Sequence, residues 1–131
     1  MTRTRIQTDA APAALGPYSQ GIAAGELVFC SGQIGRDPAT NEMPEGFEAQ
    51  VECAIRNIGG VLDAAGLGFG DVVKTTLFLT DISRFGEVNE IYARFFGDPP
   101  PARSTIGVAA LPGGATFEIE AIAVGSAGRQ S

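Results

Sequence analysis

Arg103 follows the run Pro99–Pro101 and Ala102 and opens an apolar stretch, so a stiff backbone presents a guanidinium fork there. Such a fork grips a carboxylate through two parallel hydrogen bonds. The competing reading is an ordinary surface ion pair with Asp or Glu. Glu118 and Glu120 stand two residues apart in the segment FEIEAIAV. On a strand they share a face, where like charges repel unless one is solvated, paired or protonated. They offer either general acid–base chemistry or a salt bridge at a subunit interface. Tyr18, in GPYSQ, follows a proline that fixes the local backbone; it is either a presented phenol or a core aromatic with a satisfied hydroxyl. Lys74, in VVKTTLFL, could form a Schiff base if desolvated, but a solvated or salt-bridged lysine is the commoner state. The sequence has no histidine, which removes the commonest general base and the commonest metal ligand together. No EF-hand loop or clustered acidic motif replaces it.

These residues need elements to hold them. Apolar residues recur at helical spacing from Phe47 through Val51, Ala54, Ile55, Ile58, Val61, Leu62 and Ala65, which predicts a helix of about five turns closed by Gly66. A second helix is expected from Arg84 to Phe96, with Ser83 as N-cap and Gly97 and Pro99–Pro101 as its stop. Asn89 falls on its apolar face, between Val88 and Tyr92, where an unpaired amide would be costly. Short apolar runs bounded by turn residues predict strands at Gln20–Ala24, Leu27–Gly32, Val72–Thr80, Ser104–Ala109 and Thr116–Val124. Thr4–Gln7 is a further edge candidate, and Gly25–Glu26 makes a hairpin of the first two runs. GLGFG at Gly66–Gly70 lacks dinucleotide spacing and leads into a strand, so it reads as a connection and not a phosphate loop. The order predicts an α+β sandwich with both helices on one face of a mixed sheet of about six strands.

Two helices cover only one face of such a sheet. In the last strand Phe117, Ile119, Ala121 and Ala123 form one face, while Glu118, Glu120, Ile122 and Val124 form the other, which is neither clean core nor clean surface. The uncovered face is expected to pack against another subunit, making a homo-oligomer.

The 131 residues, 44% of them hydrophobic, suit one domain spanning 1–131, with a disordered tail from about residue 125. A net charge of -6 opposes nucleic-acid binding. Cys30 and Cys53 lie in apolar stretches without disulfide spacing, so they read as small buried hydrophobes in a reducing compartment. No signal-peptide core or membrane span is apparent, and a cytoplasmic location is expected.

Several blocks occur together and in fixed order: GPYSQ at Gly16–Gln20, SGQIG at Ser31–Gly35, NIGGVLDAAG at Asn57–Gly66, VVKTTLFLTD at Val72–Asp81, FGEVNEIYARFF at Phe85–Phe96, PARST at Pro101–Thr105, and LP followed by EIEAIAV at Glu118–Val124. In this combination the chain resembles the Rid (YjgF-like) family of reactive-intermediate deaminases, whose early names were translation inhibitor and endoribonuclease. The resemblance implies a chorismate-mutase-like sandwich assembled as a homotrimer with sites between subunits. It further implies hydrolysis of carboxylate-bearing imines and enamines such as 2-aminoacrylate to keto acids and ammonium, a reaction that requires no cofactor. By the same resemblance Arg103 holds the substrate carboxylate, Glu118 positions water, and Tyr18, Ser31 and Asn89 line the pocket. Thr105 stands where the best-studied branch has cysteine and should still offer its backbone groups, leaving substrate preference open. The alternative is a non-catalytic trimer that binds small carboxylates.

Overall fold

The computed structural model describes residues 2–125; the expected disordered tail falls almost wholly outside them. The chain runs β1 (Arg3–Ile6), β2 (Gly21–Ala24), β3 (Leu27–Ile34), α1 (Phe47–Ala64), β4 (Val72–Leu79), α2 (Phe85–Phe95), β5 (Ala102–Gly107) and β6 (Phe117–Val124). The strands form one six-stranded sheet in the order β1-β2-β3-β6-β4-β5. Only β4 and β5 pair in parallel; every other pairing is antiparallel. A parallel pair needs a crossover longer than a hairpin turn, and α2 supplies it. β3 and β4 also run in one direction, since both are antiparallel to β6, and α1 makes that crossover. Both helices pack on the same face, as expected for an α+β sandwich.

Period decides burial in both element types. On α1 the residues Val51, Ala54, Ile55, Ile58, Val61 and Leu62 are buried, which is the 3.6-residue stripe of a helix laid on a sheet. On β6 the alternate residues Phe117, Ile119, Ala121 and Ala123 are buried beneath it. Gly66, at φ 80°, closes α1. The Leu67 N–H then donates to the Leu62 carbonyl at 2.9 Å, and Leu67 packs back on the core, the pattern of a glycine-ended helix. The start of α2 differs from expectation. Ser83 does not cap it; Asp81 instead accepts from the Ser83 N–H at 3.1 Å and caps a short 3-10 turn, Ile82–Arg84, that leads into the helix. β5 also begins earlier than predicted, so Arg103 lies inside the strand.

The other face of the sheet is bare. Ile22, Phe29 and Ile122 stand side by side across β2, β3 and β6, next to the pair Leu27 and Val124. Phe29, Val124 and, on β5, Ile106 are each at least 40% exposed. An apolar patch of this kind on a sheet marks an interaction surface.

Buried carboxamides fasten the loops to this frame. From α1, the Asn57 side chain donates to the carbonyls of Ile34 and Arg36 at 3.0 and 2.9 Å, while Gln50 accepts from the N–H and hydroxyl of Thr116 and donates to the Pro44 carbonyl. Asn57→Ala leaves the two carbonyls at the end of β3 without their donor. A loss of about 1–3 kcal/mol in unfolding free energy is expected in urea titration, with the slope unchanged.

Candidate functional site

A bulge in β3 shapes the site. Cys30 pairs with Ala121 and Gln33 with Ile119, so β3 advances three residues while β6 advances two. The extra residue lets Ser31 and Gly32 lie together opposite Glu120, and bulges of this kind re-aim side chains next to functional sites. Gly32 matters through what it lacks. A Cβ there would collide with the Glu118 Oε2 and come within 2.9 Å of its carboxyl carbon. The carboxylate of Glu118 therefore occupies the space a side chain at position 32 would need.

The segment carrying Tyr18 is tied down beside it. Gln20, 4% exposed, accepts from the Thr8 N–H at 2.8 Å and shares its amide hydrogens among the carbonyls of Thr8, Ala11 and Pro12. The Ser31 hydroxyl donates to the Ser19 carbonyl at 2.6 Å, and the Ser31 N–H to the Gln20 carbonyl at 2.9 Å. Tyr18 itself is 55% exposed, which rules out the core-aromatic reading within the chain. Tyr18, Ser31, Gly32, Glu118 and Glu120 line one cavity of about 660 Å³. Arg36 lines the same cavity, and nothing in the spacing of the sequence singles it out.

Burial, then the neighbouring Glu120, raises the Glu118 pKa above its ordinary value; both disfavour the charged form. Cys30 is pushed up to about 12 by burial. Burial first, and then Asp37, also raises Cys53. Neither thiol is a nucleophile in this state. Among the described residues no group of three or more His, Cys, Asp or Glu is gathered to hold a metal ion.

The remaining predicted residues lie elsewhere. In the β4–β5 register Arg103 is level with Thr75 and Thr105 with Leu77, on the helix-covered side. Glu118 is level with Phe78, on the bare side. The Arg103 guanidinium sits 5.0 Å from the ring centroid of Tyr92 on α2. That ring is itself fixed, stacked on Phe96 at 4.2 Å and hydrogen-bonded through its hydroxyl to the buried Thr75 at 2.7 Å. The surface ion pair considered for Arg103 is not formed; among the described residues the salt bridges are Arg56–Glu52 and Arg84–Glu87. Lys74 likewise has no carboxylate partner among the described residues and approaches the Ser104 hydroxyl at 3.5 Å. Asn89 is exposed and not on the buried face, because Val88, Ile91 and Tyr92 supply the buried stripe of α2. It lies one helical turn before Tyr92. Within one chain Tyr18, Ser31 and Glu118 border the cavity, while Arg103, Thr105 and Asn89 stand at the β5–α2 edge, so the six candidate residues form two separate groups.

The family model described as Endoribonuclease L-PSP matches residues 8–125. Protein DfrA of Myxococcus xanthus is 52% identical over 127 residues, covering 95% of this chain and 97% of that protein. The mouse 2-iminobutanoate/2-iminopropanoate deaminase is 48% identical over 123 residues, covering 93% and 91%. Among solved structures, Escherichia coli TdcF with bound serine superposes with a TM-score of 0.90 at 44% identity, covering 94% of this chain and 99% of that one. With the matched region spanning both groups of residues, the chain belongs to the Rid family of reactive-intermediate deaminases, the family whose model bears the name Endoribonuclease L-PSP.

Proposed function

We propose that the protein hydrolyses imines and enamines of 2-aminoacrylate type to 2-keto acids and ammonium, at sites shared between the chains of a homotrimer. The observation that carries the reading is the Glu118 carboxylate, half-buried in the wall of a cavity with its pKa raised. A carboxyl group tuned upward is suited to taking a proton from water near neutral pH and returning it. The mouse relative's name states this activity for that protein, and the E. coli relative binds serine, a small carboxylate-bearing amino acid.

The enamine first tautomerises to the imine. Water then adds to the carbon of the protonated imine while Glu118 accepts one of its protons, giving a neutral carbinolamine. Glu118 returns that proton to the nitrogen, and the carbon–nitrogen bond breaks as the hydroxyl gives its own proton to Glu118 and its electron pair closes the carbonyl, releasing ammonia and the keto acid. Both stages proceed unaided in water, so the demand on the protein is positioning plus a general-base contribution of about 10²- to 10⁴-fold. Arg103 supplies a carboxylate anchor that no acidic side chain occupies among the described residues. Tyr18 and Ser31 complete the wall, and the Thr105 backbone and Asn89 accompany Arg103. Because Arg103 and Glu118 lie on opposite sides of their own sheet, one small substrate meets both only where β5 of one chain approaches the bare face of another. The exposed apolar residues of that face favour such a contact.

The test is the hydrolysis of 2-iminopropanoate released by an amino-acid oxidase, with the surviving imine trapped by semicarbazide. Wild type should lower the trapped imine and Arg103→Ala should not, while Glu118→Gln should bind pyruvate but turn over at least about 10²-fold more slowly. Folded wild type without effect on several amino-acid imines would favour the non-catalytic carboxylate-binding trimer.

Assembly gives a separate prediction. Mixing unfolded Arg103→Ala and Glu118→Gln chains and refolding them together should restore activity at about one site in four, since random mixing pairs an intact arginine with an intact glutamate that often. No recovery would place both groups of a site on one chain.

Glu118 also links activity to stability. Its folded pKa lies above the ordinary 4.5, so the folded state holds this proton more tightly than the unfolded one. The destabilisation is absent below the unfolded value, grows as pH rises between the two values, and is complete above the raised one. Glu118→Gln should therefore raise Tm at about pH 7 and lose that advantage near about pH 4, read by thermal melts.

A further inference from the structure

Arg36 shares the cavity wall with Glu118 and has no acidic partner among the described residues. Its backbone is pinned by Asn57, which donates to the Arg36 carbonyl at 2.9 Å. Its side chain is held at two points. Nη1 donates to the Asn41 carbonyl at 3.0 Å, and Nη2 rests over Gly113, where a Cβ would come within 2.6 Å of it. Asn41 and Gly113 both sit at positive φ, 63° and 66°, so two turns are shaped around this guanidinium. One of its five N–H groups is used within the chain by the bonds described, which leaves a stiffly held, charged fork bordering the cavity.

Glu118 and Arg36 border the same cavity without forming a salt bridge to one another. A cavity of about 660 Å³ falls within the range of pockets for ligands much larger than a three-carbon acid. The cavity therefore has a reacting end at Glu118 and a cationic station apart from it, and Arg103 is not among the residues that line it.

We infer that Arg36 receives a second carboxylate on the substrate side chain, so that imines of dicarboxylic amino acids are substrates alongside alkyl imines. This rests on the proposed imine hydrolysis at Glu118. In the proposed assembly the substrate's α-carboxylate goes to Arg103 of a neighbouring chain and its distal carboxylate to Arg36, leaving the imine carbon between them beside Glu118.

Two measurements test it. The first is the ratio of kcat/KM for 2-iminoglutarate to that for 2-iminopropanoate, each generated by an amino-acid oxidase and trapped with semicarbazide. Wild type should hydrolyse the dicarboxylic imine, Arg36→Met should lower the ratio about 10- to 100-fold, and Arg36→Lys should restore part of it, since lysine keeps the charge but not the fork. An unchanged ratio in folded Arg36→Met, or a parallel fall of both substrates without rescue by lysine, overturns the inference. The second is calorimetric binding of 2-oxoglutarate against pyruvate, which needs no turnover. Selective loss of 2-oxoglutarate affinity in Arg36→Met supports the site even where imine hydrolysis fails; equal affinities in wild type and variant overturn it. Hydrolysis of 2-iminopropanoate by wild type alone decides the underlying reading, so the two failures are distinguishable.

Discussion

Irregular backbone around a pocket has to find hydrogen-bond partners that a sheet or helix would otherwise supply, and here buried carboxamides provide them. Gln20 holds the segment before Tyr18, Asn57 holds the end of β3 and the start of the Arg36 turn, and Gln50 ties α1 to the residue before β6. An amide side chain carries both donors and acceptors, so a single residue can close several backbone groups at once. The loops around the cavity are thereby referred to α1 and β2, which sit in the core, and the positions of Tyr18, Ser31 and Arg36 follow from that anchorage. Unpaired, the same carbonyls would each carry a desolvation cost and the loops would relax toward water.

Much of this architecture is legible in the sequence because burial imposes a period. The stripe on α1 and the alternation on β6 are plain from the spacing of apolar residues alone, and Gly66 announces the helix end. Spacing does not tell which strand lies beside which. β6 enters the sheet between β3 and β4 although it is last in the chain, and only that placement puts Glu118 level with Ile34 and Phe78. Asn89 shows the limit of spacing: it lies beside Val88 in sequence, yet a rotation of one residue around the helix separates buried from exposed. Arg36 escapes a reading by pattern for another reason. Its placement depends on two turns and a long-range hydrogen bond from Asn57, none of which leaves a periodic mark.

The charges divide into complementary roles. Glu118 sits where its own ionisation is unfavourable, beside another carboxylate and partly out of water. Arg103 lies over an aromatic ring that is stacked and hydrogen-bonded in place, a support that fixes a guanidinium without neutralising it. Among the described residues the salt bridges take up only Arg56 and Arg84, so Arg36 and Arg103, which border the proposed chemistry, are open to an external anion. In the proposed shared site, guanidinium groups at its margins would attract an anion, while a carboxyl group of raised pKa would remain able to exchange protons.

The contact between Glu118 and Gly32 has a consequence for how such a chain can diverge. The carboxylate fills the volume of a missing side chain, so the two positions act as one heritable unit despite their separation in sequence. Any larger residue at 32 must evict the carboxylate, whereas a shorter residue at 118 would leave a void that position 32 could then fill. Loss of the acid thus opens the way to a compensating change at the glycine, and reversal is then blocked by sterics. A lineage that once abandons this carboxylate becomes a ratcheted one, free to turn the cavity to other uses but barred from easy return.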